Sequence, residues 1–370
     1  MGYISQLYLH NFRNYFDQRI ELKSGLTVLN GANGQGKTSF LEAIYFLSLL
    51  RSFRTRKTPQ LCNWEHKDFW IAASLHDEDE FQDTQLSVIY GNKRTLSINN
   101  ETVAKSSEFI RQFNAVSFVP EDIEIIKGPS SERRQFIDVL LSQVYPSYLF
   151  VLQSYNKALK SRNAVLRQCA KEQRQDLALI NSFSEGLIKY AKIIHEFRQR
   201  LLTLLQPIIN DFSQKMFPGN SHFQLKPISN YPNDSENFEE NYRQTLLQDL
   251  YKDIKRCQTA SGPHRDEIQM LLNGKILGDF GSEGQCRLAS LILKTSAAEL
   301  LIQQSAEHQN QSVILLIDDV IGELDEERKK AFFSTILRGD QIFLACTETP
   351  AALKEISHQS IKVEAGILVP

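Results

Sequence analysis

Apolar and polar positions alternate from Tyr3 to His10 and from Gln18 to Leu22, and a short β-prone run, Leu26-Thr27-Val28-Leu29, follows. The pattern predicts three short strands. From Thr38 to Leu50 the chain is apolar nearly all round, the mark of a buried helix. Phe69 to His76, Gln85 to Tyr90 and Thr95 to Ile98 alternate again, with Gly91-Asn92 as a hairpin turn, and predict an antiparallel side sheet. Ala115 to Val119 reads as one more strand. Beyond Gly128-Pro129 the period becomes helical from Glu132 to about Met216, broken at Tyr145-Pro146-Ser147 and weakened around Asn181-Ser182-Phe183-Ser184. His222 to Pro227 reads as a strand, Asn230 to Glu240 as a polar acidic loop, Asn237 to Cys257 as helix, and Glu267 to Leu272 as a strand closed by Asn273-Gly274. Two further apolar runs, Val313 to Ile317 and Ile342 to Ala345, read as buried strands. The expected organisation is an α/β lobe over 1–128, a mainly helical lobe over 129–302, and a return to the first lobe over 303–370.

The turn before the buried helix, Gly31-Ala32-Asn33-Gly34-Gln35-Gly36-Lys37-Thr38, satisfies G-x-x-x-x-G-K-[ST] in a strand–loop–helix setting. A phosphate must be surrounded by inward-pointing backbone N–H groups, which needs dihedrals and approaches that a Cβ blocks. The predicted nucleotide contacts are Gly31, Asn33, Gly34, Gln35, Gly36, Lys37, Thr38 and Ser39, with Lys37 on the β- and γ-phosphates of ATP and Thr38 on Mg²⁺. The run Val313-Ile314-Leu315-Leu316-Ile317 ends in Asp318-Asp319, the Walker B form. Asp318 would hold Mg²⁺, and Asp319 would polarise the attacking water.

Phe280-Gly281-Ser282-Glu283-Gly284-Gln285 opens a helix expected from Gln285 to roughly Gln304 and resembles the signature loop of ABC-type ATPases. Free N–H groups, the helix dipole and the Ser282 hydroxyl would meet a γ-phosphate held by a second subunit, with Gly284 and Gln285 beside it. Gly322-Glu323-Leu324-Asp325 resembles the D-loop of the same dimer contact, with Asp325 its last residue. The order of these motifs disfavours small GTPases and nucleoside kinases, and no N-K-x-D motif is present.

Net charge is −2, so nucleic-acid binding would need a local basic surface. Two stretches offer one. Arg51-Ser52-Phe53-Arg54-Thr55-Arg56-Lys57 packs four cations into seven residues. Between Tyr155 and Arg200 ten cations (Lys157, Lys160, Arg162, Arg167, Lys171, Arg174, Lys189, Lys192, Arg198, Arg200) face four acids (Glu172, Asp176, Glu185, Glu196), a local excess of 10 − 4 = 6. Each stretch is either a solvated surface or a phosphate-binding one; Arg54, Arg56, Lys160, Arg162 and Arg167 are the DNA-binding candidates. No apolar run has the length of a membrane span, the start lacks a signal-type segment, and the five cysteines show no C-x-x-C spacing, so the expectation is a cytoplasmic chain with reduced thiols and no membrane partner.

With those motifs, Leu9-His10-Asn11-Phe12-Arg13-Asn14-Tyr15, Leu41-Glu42-Ala43-Ile44, Ser52-Phe53-Arg54-Thr55, Phe118-Val119-Pro120-Glu121-Asp122, Arg133-Arg134, Tyr155, Leu159-Lys160-Ser161-Arg162-Asn163 and Gly262-Pro263-His264-Arg265-Asp266 stand in an order that resembles the RecF family. That resemblance implies an SMC-like ABC ATPase head without the long coiled coil. It implies ATP-dependent homodimerisation, binding to DNA at gaps or single-strand/double-strand junctions, slow hydrolysis, and cooperation with RecR and RecO in loading RecA. Departures are Glu283 and Cys286 where the family commonly has glutamines, which leaves the loop to act through Ser282 and backbone. Compared with ABC transporters, Asp319 stands for the catalytic Glu, and Cys346-Thr347-Glu348 supplies no switch His, leaving Thr347 as the γ-phosphate sensor candidate. The competing readings are a transporter's nucleotide-binding subunit and a DNA-binding module in which ATP is only structural.

Overall fold

The computed structural model describes residues 2–77, 83–110, 112–172, 177–219, 221–231, 236–308, 311–320, 322, 324–348, 353 and 356–369. The chain forms two compact units, one of residues 1–123, 214–218 and 287–370, the other of 124–213 and 219–286.

The first unit has two six-stranded sheets. One joins β1 (Gly2–Phe12) and β2 (Tyr15–Glu21) to β4 (Phe69–Asp77), β5 (Thr84–Tyr90), β6 (Arg94–Ile98) and β7 (Glu101–Thr102), all antiparallel, in the order β2-β1-β4-β5-β6-β7. The other is built on β3 (Gly25–Asn30), β8 (Asn114–Phe118), β12 (Val313–Asp318), β13 (Gln341–Cys346), β14 (His358–Glu364) and β15 (Ile367–Val369), in the order β15-β14-β3-β13-β12-β8. Four of its five neighbouring pairs run parallel and only the β14–β15 edge hairpin is antiparallel. The strands β1 and β2, expected to lead into the phosphate loop, thus belong to the side sheet, and β3 alone carries the loop. The pair β14 and β15, absent from the sequence reading, covers β3 on its other flank. Between the sheets lies α1 (Lys37–Leu49), where every residue except Thr38 is buried. Its Phe46 meets Phe69 of the side sheet edge-on at 5.6 Å, and Phe40 meets Phe343 of β13 at 5.7 Å. Burying each such ring contributes about 1.5–3 kcal/mol, so the helix that opens at the phosphate loop is a rigid post. Short α2 (Ser106–Phe109) precedes β8.

The second unit is mainly helical: α3 (Glu124–Lys127), α4 (Ser130–Val144), α5 (Tyr148–Glu172), most of α6 (Leu177–Met216), α7 (Phe238–Gln248), α8 (Leu250–Arg256) and α9 (Leu277–Phe280). A three-stranded antiparallel sheet joins β9 (Phe223–Ile228), β10 (Glu267–Leu272) and β11 (Lys275–Ile276) in the order β11-β10-β9. Long helix α10 (Glu283–His308) begins in this unit and ends in the first, where α11 (Glu326–Ile336) follows β12. The break at Tyr145-Pro146-Ser147 separates α4 from α5, as the pattern indicates. The expected weakening at Asn181-Ser182-Phe183-Ser184 does not occur, and α6 runs straight through it. Ser184 explains this: its hydroxyl donates to the Ile180 carbonyl one turn back (2.8 Å) and accepts from Arg162 Nε (3.0 Å), so the polar side chain is satisfied inside the helix. Part of the predicted loop at Asn230–Glu240 lies outside the described residues.

This unit carries a buried polar layer. Arg162 has no exposed surface, and its guanidinium also donates to Asp253 (2.7 Å) and Thr259 (2.6 Å). Arg198 donates to Asp138 and Asp266, each at 3.0 Å, and to the Pro263 carbonyl at 2.8 Å. Tyr155 shares a 2.6 Å hydrogen bond with His264, whose other nitrogen meets the Thr259 carbonyl at 3.1 Å. Burial pushes the His264 imidazole down to about 4, helped by Arg265, Arg134 and Arg198. It stays neutral, donating from one nitrogen and accepting Tyr155 on the other.

Candidate nucleotide-binding site

The phosphate loop leaves β3 at Asn30 and enters α1 at Lys37. Two of its glycines are forced by neighbours. A Cβ on Gly31 would fall 2.4 Å from the Val363 carbonyl of β14, and one on Gly36, at φ 123°, would fall 2.6 Å from Asn14 Nδ2. Lys37 is buried, and its ammonium donates to the carbonyls of Gly31 (2.5 Å) and Ala32 (2.9 Å), bridging the mouth of the loop. Asn33 and Gly34 are exposed, Gln35 and Thr38 half-buried, and Ser39 buried behind them.

Asp318 is the last residue of β12, at the C-terminal end of a parallel strand, where open α/β sheets place ligands. The Thr38 hydroxyl faces its carboxylate and favours the ionised form. The start of α1 thus meets the end of β12 although β13 lies between β3 and β12. Burial holds the Asp318 carboxyl above its ordinary range, with Glu121 and Asp319 adding to the rise and Thr38 and Lys37 opposing it. A carboxylate kept short of cations in this way is suited to receive one. Asp319 is exposed and adopts the left-handed region, φ 52°, with its N–H 3.4 Å from the Ala345 carbonyl of β13. Such a conformation is uncommon for a residue with a Cβ and turns the second acid off the strand line into solvent. Among the described residues no three His, Cys, Asp or Glu side chains gather as a metal cage. Mg²⁺ held through one carboxylate, one hydroxyl and phosphate oxygens needs none, and the Thr38–Asp318 pair fits that demand. Thr347 is exposed just past Cys346, the last residue of β13, between the two motif strands; the Cys346 thiol bonds Asn30 Oδ1 at 3.4 Å, and burial pushes it up to about 11.

One group of residues, present in the motifs quoted above, received no role from sequence. Glu42, fully buried on α1, accepts Arg13 through both oxygens (2.8 and 2.7 Å) and also the Ser52 hydroxyl. Ser52 in turn accepts the N–H groups of Arg54 and Thr55, each at 2.9 Å. So the loop that exposes Arg54 and Arg56 is organised by the same helix that begins at Lys37. The signal was a charged residue inside an all-apolar helix, which demands a buried partner. Glu121, likewise quoted without a role, stands after β8, the strand paired with β12, and its charge reaches Asp318.

In the second unit, Ser282 and Gln285 cap α10 reciprocally: Gln285 Oε1 accepts the Ser282 N–H at 2.9 Å, and Ser282 Oγ accepts the Gln285 N–H at 3.2 Å. Ser282, Glu283, Gly284 and Gln285 are all exposed, and Phe280 before them is 73% exposed. Cys286 is buried beneath the loop with its thiol 3.5 Å from the Leu277 carbonyl, so it serves as packing. Asp325 caps α11, accepting the Arg328 N–H at 2.9 Å, while Glu323 of the D-loop reading lies outside the described residues.

The basic helices need a correction. Arg162, placed by the sequence among DNA-facing cations, is an internal strut, and no phosphate can reach it. Lys160 and Arg167 are exposed on the same helix, α5; Arg174 lies outside the described residues.

The RecF/RecN/SMC N terminal domain family matches residues 3–365. DNA replication and repair protein RecF of Latilactobacillus sakei is 34% identical over 362 residues, covering 96% of this chain and 94% of its own. That of Acetivibrio thermocellus is 34% identical over 377 residues, covering 98% and 99%. The solved structure of the recombination mediator protein RecF with ATP in the RecFOR pathway superposes with a TM-score of 0.88 at 30% identity, over 99% of this chain and 97% of that one. An Smc head from Pyrococcus furiosus, at 16% identity and a TM-score of 0.55, shares the fold. Full-length coverage by proteins of one kind, on a head whose phosphate loop and Walker B strand meet through Thr38 and Asp318, gives the conclusion that this chain belongs to the RecF family.

Proposed function

We propose that the chain is an ATP-dependent DNA-binding protein of recombinational repair and replication-fork maintenance. It dimerises on ATP, engages DNA at single-strand gaps or junctions, and acts with RecO and RecR in loading RecA. The observation that carries this is the meeting of Thr38 and Asp318 beside a preformed glycine-rich loop, in a chain matched end to end by a RecF–ATP structure. The proposed lobes are 1–128, 129–302 and 303–370, with the ATPase lobe split around the helical one; the compact units part instead at 123/124 and 286/287, so that most of α10 belongs with the first unit.

Each residue's task follows from its place. Lys37 exchanges the Gly31 and Ala32 carbonyls for β- and γ-phosphate oxygens of ATP. Thr38 and Asp318 hold Mg²⁺, which when bound supplies positive charge for the β- and γ-phosphates. Asp319, exposed at the strand end, orients the attacking water and accepts its proton. Across the dimer Ser282 exchanges its cap bond for a γ-phosphate oxygen, with Gly284 allowing backbone approach and Gln285 beside it. Asp325 lines that contact, and Thr347 senses the γ-phosphate. A carboxylate one methylene shorter than glutamate, and no switch histidine, suit a slow reset of a DNA-bound dimer.

Sedimentation of wild type and Ser282→Arg, with and without ATP and Mg²⁺, over gapped DNA and plain duplex, tests this reading. The expected result is an ATP-dependent wild-type dimer that prefers gapped DNA and a monomeric variant. A wild type that binds ATP yet stays monomeric on both DNAs sinks the dimer. Asp319→Asn should accumulate the ATP dimer, whereas Lys37→Ala should prevent it.

A further inference from the structure

The loop that cradles phosphate is held from behind by residues far away in sequence. The Gln35 carbonyl accepts Asn14 Nδ2 at 2.9 Å and the Gly366 N–H at 3.0 Å. The Gln35 side chain accepts the Ala365 N–H at 2.6 Å. The Gly36 carbonyl accepts the Tyr15 hydroxyl at 3.0 Å besides its own helical partner, the Phe40 N–H, at 2.9 Å. In a trans peptide the C=O and the following N–H point opposite ways. Pinning the Gln35 and Gly36 carbonyls outward therefore aims the Gly36 and Lys37 N–H groups inward, where a phosphate must be met.

Asn14 is fitted tightly for this task. A Cβ on Gly36 would come within 2.6 Å of its Nδ2, and a Cβ on Gly366, at φ 77°, within 2.2 Å of its backbone carbonyl. The Asn14 side chain lies against Gly36 and its backbone against Gly366, both at positive φ. The Gly366 turn closes the β14–β15 hairpin, so the end of the chain braces a loop near its beginning.

We propose that Asn14 is a positioning residue for the nucleotide site: with Tyr15 and the Ala365-Gly366 turn it presets two phosphate-binding N–H groups before ligand arrives. The proposal rests on the phosphate-loop reading above and adds the device that shapes it. An anion cradle that must reorganise on binding loses affinity to the cost of ordering.

The test measures Mg²⁺-ADP and inorganic pyrophosphate binding by calorimetry for wild type, Asn14→Ala and Asn14→Asp, together with the thermal midpoint without nucleotide. Asn14→Ala should weaken both ligands about tenfold, the scale of one orienting hydrogen bond. Its midpoint should stay within about 2 °C, because the side chain is exposed. Asn14→Asp, which cannot donate and brings a carboxylate toward the carbonyl and the anion, should weaken them further. Amide exchange over 34–38 in the ligand-free protein should accelerate in both variants. Unchanged affinity in Asn14→Ala overturns the proposal, as does a loss matched by a fall in thermal midpoint, since that is a general structural effect. If wild type binds neither ligand, the phosphate-loop reading falls and takes the clamp with it.

Discussion

The two basic stretches invite the same reading from sequence and fold in opposite ways. Between Arg51 and Lys57 all four cations are exposed, on a loop whose backbone is organised by Ser52 and Glu42. Between Tyr155 and Arg200, Arg162 and Arg198 are buried among carboxylates, while Lys160 and Arg167 remain outside. Charge counted along a helix is therefore not charge displayed by it. The distinguishing signal is phase. Tyr155, Arg162 and Cys169 are seven apart, in step with buried Val151, Leu166 and the rest of the inner face. Arg198 likewise continues the buried series Leu187, Ala191, Ile194, Leu201 and Leu205. A cation on an apolar stripe needs a buried anion.

The largest effect expected from this contrast is at Arg162. Arg162→Ala leaves Asp253 buried without its partner and should cost about 3–5 kcal/mol in urea unfolding. A loss below about 1 kcal/mol would return Arg162 to the surface group and break the comparison. Next is the pH dependence of the same polar layer. The His264 imidazole is held at about 4 in the folded chain against an ordinary value of 6.5, so the unfolded state takes up the proton first. Its contribution is complete above pH 6.5 and lost as pH falls toward 4, up to about 3 kcal/mol. Burial raises the carboxyls of Asp253 and Asp266, which act in the opposite sense, so the measurement compares wild type with His264→Gln across that window. Parallel curves would show that the imidazole takes its proton in the folded chain as readily as in the unfolded one.

Smaller effects sharpen the exposed side. Arg54→Glu, Arg56→Glu, Lys160→Glu and Arg167→Glu should each leave stability within about 0.5 kcal/mol. Any of them that meets a DNA phosphate should lower the slope of log affinity against log salt by about 1. If the slope changes only for the loop pair, the helical arm is solvated surface; if only for the arm pair, the loop is.

The nucleotide elements were legible because each rests on local chemistry. The β3–α1 turn, the Walker B run and the alternating strands from Phe69 to Ile98 appear where their spacing and turn residues place them. Asp318 at a strand end and Ser282 at a helix start follow from the same local rules. What escaped were features with one partner elsewhere: the Glu42 hub that gathers Arg13 and Ser52, the Gln35 carbonyl braced by Asn14 and Gly366, and the unbroken α6 whose Ser184 is satisfied by Arg162.

By itself the sequence determined that a glycine-rich strand–turn–helix, a carboxylate at the end of a buried strand and a capped helix start exist, since glycine, an apolar run and Ser-x-x-Gln dictate backbone geometry within a few residues. Only the tertiary structure decided that β1 and β2 join the side sheet, that β14 flanks the loop, and which arginines face solvent or the core. Those outcomes depend on which distant groups arrive to satisfy a buried hydrogen bond or charge, and spacing along the chain does not encode that meeting.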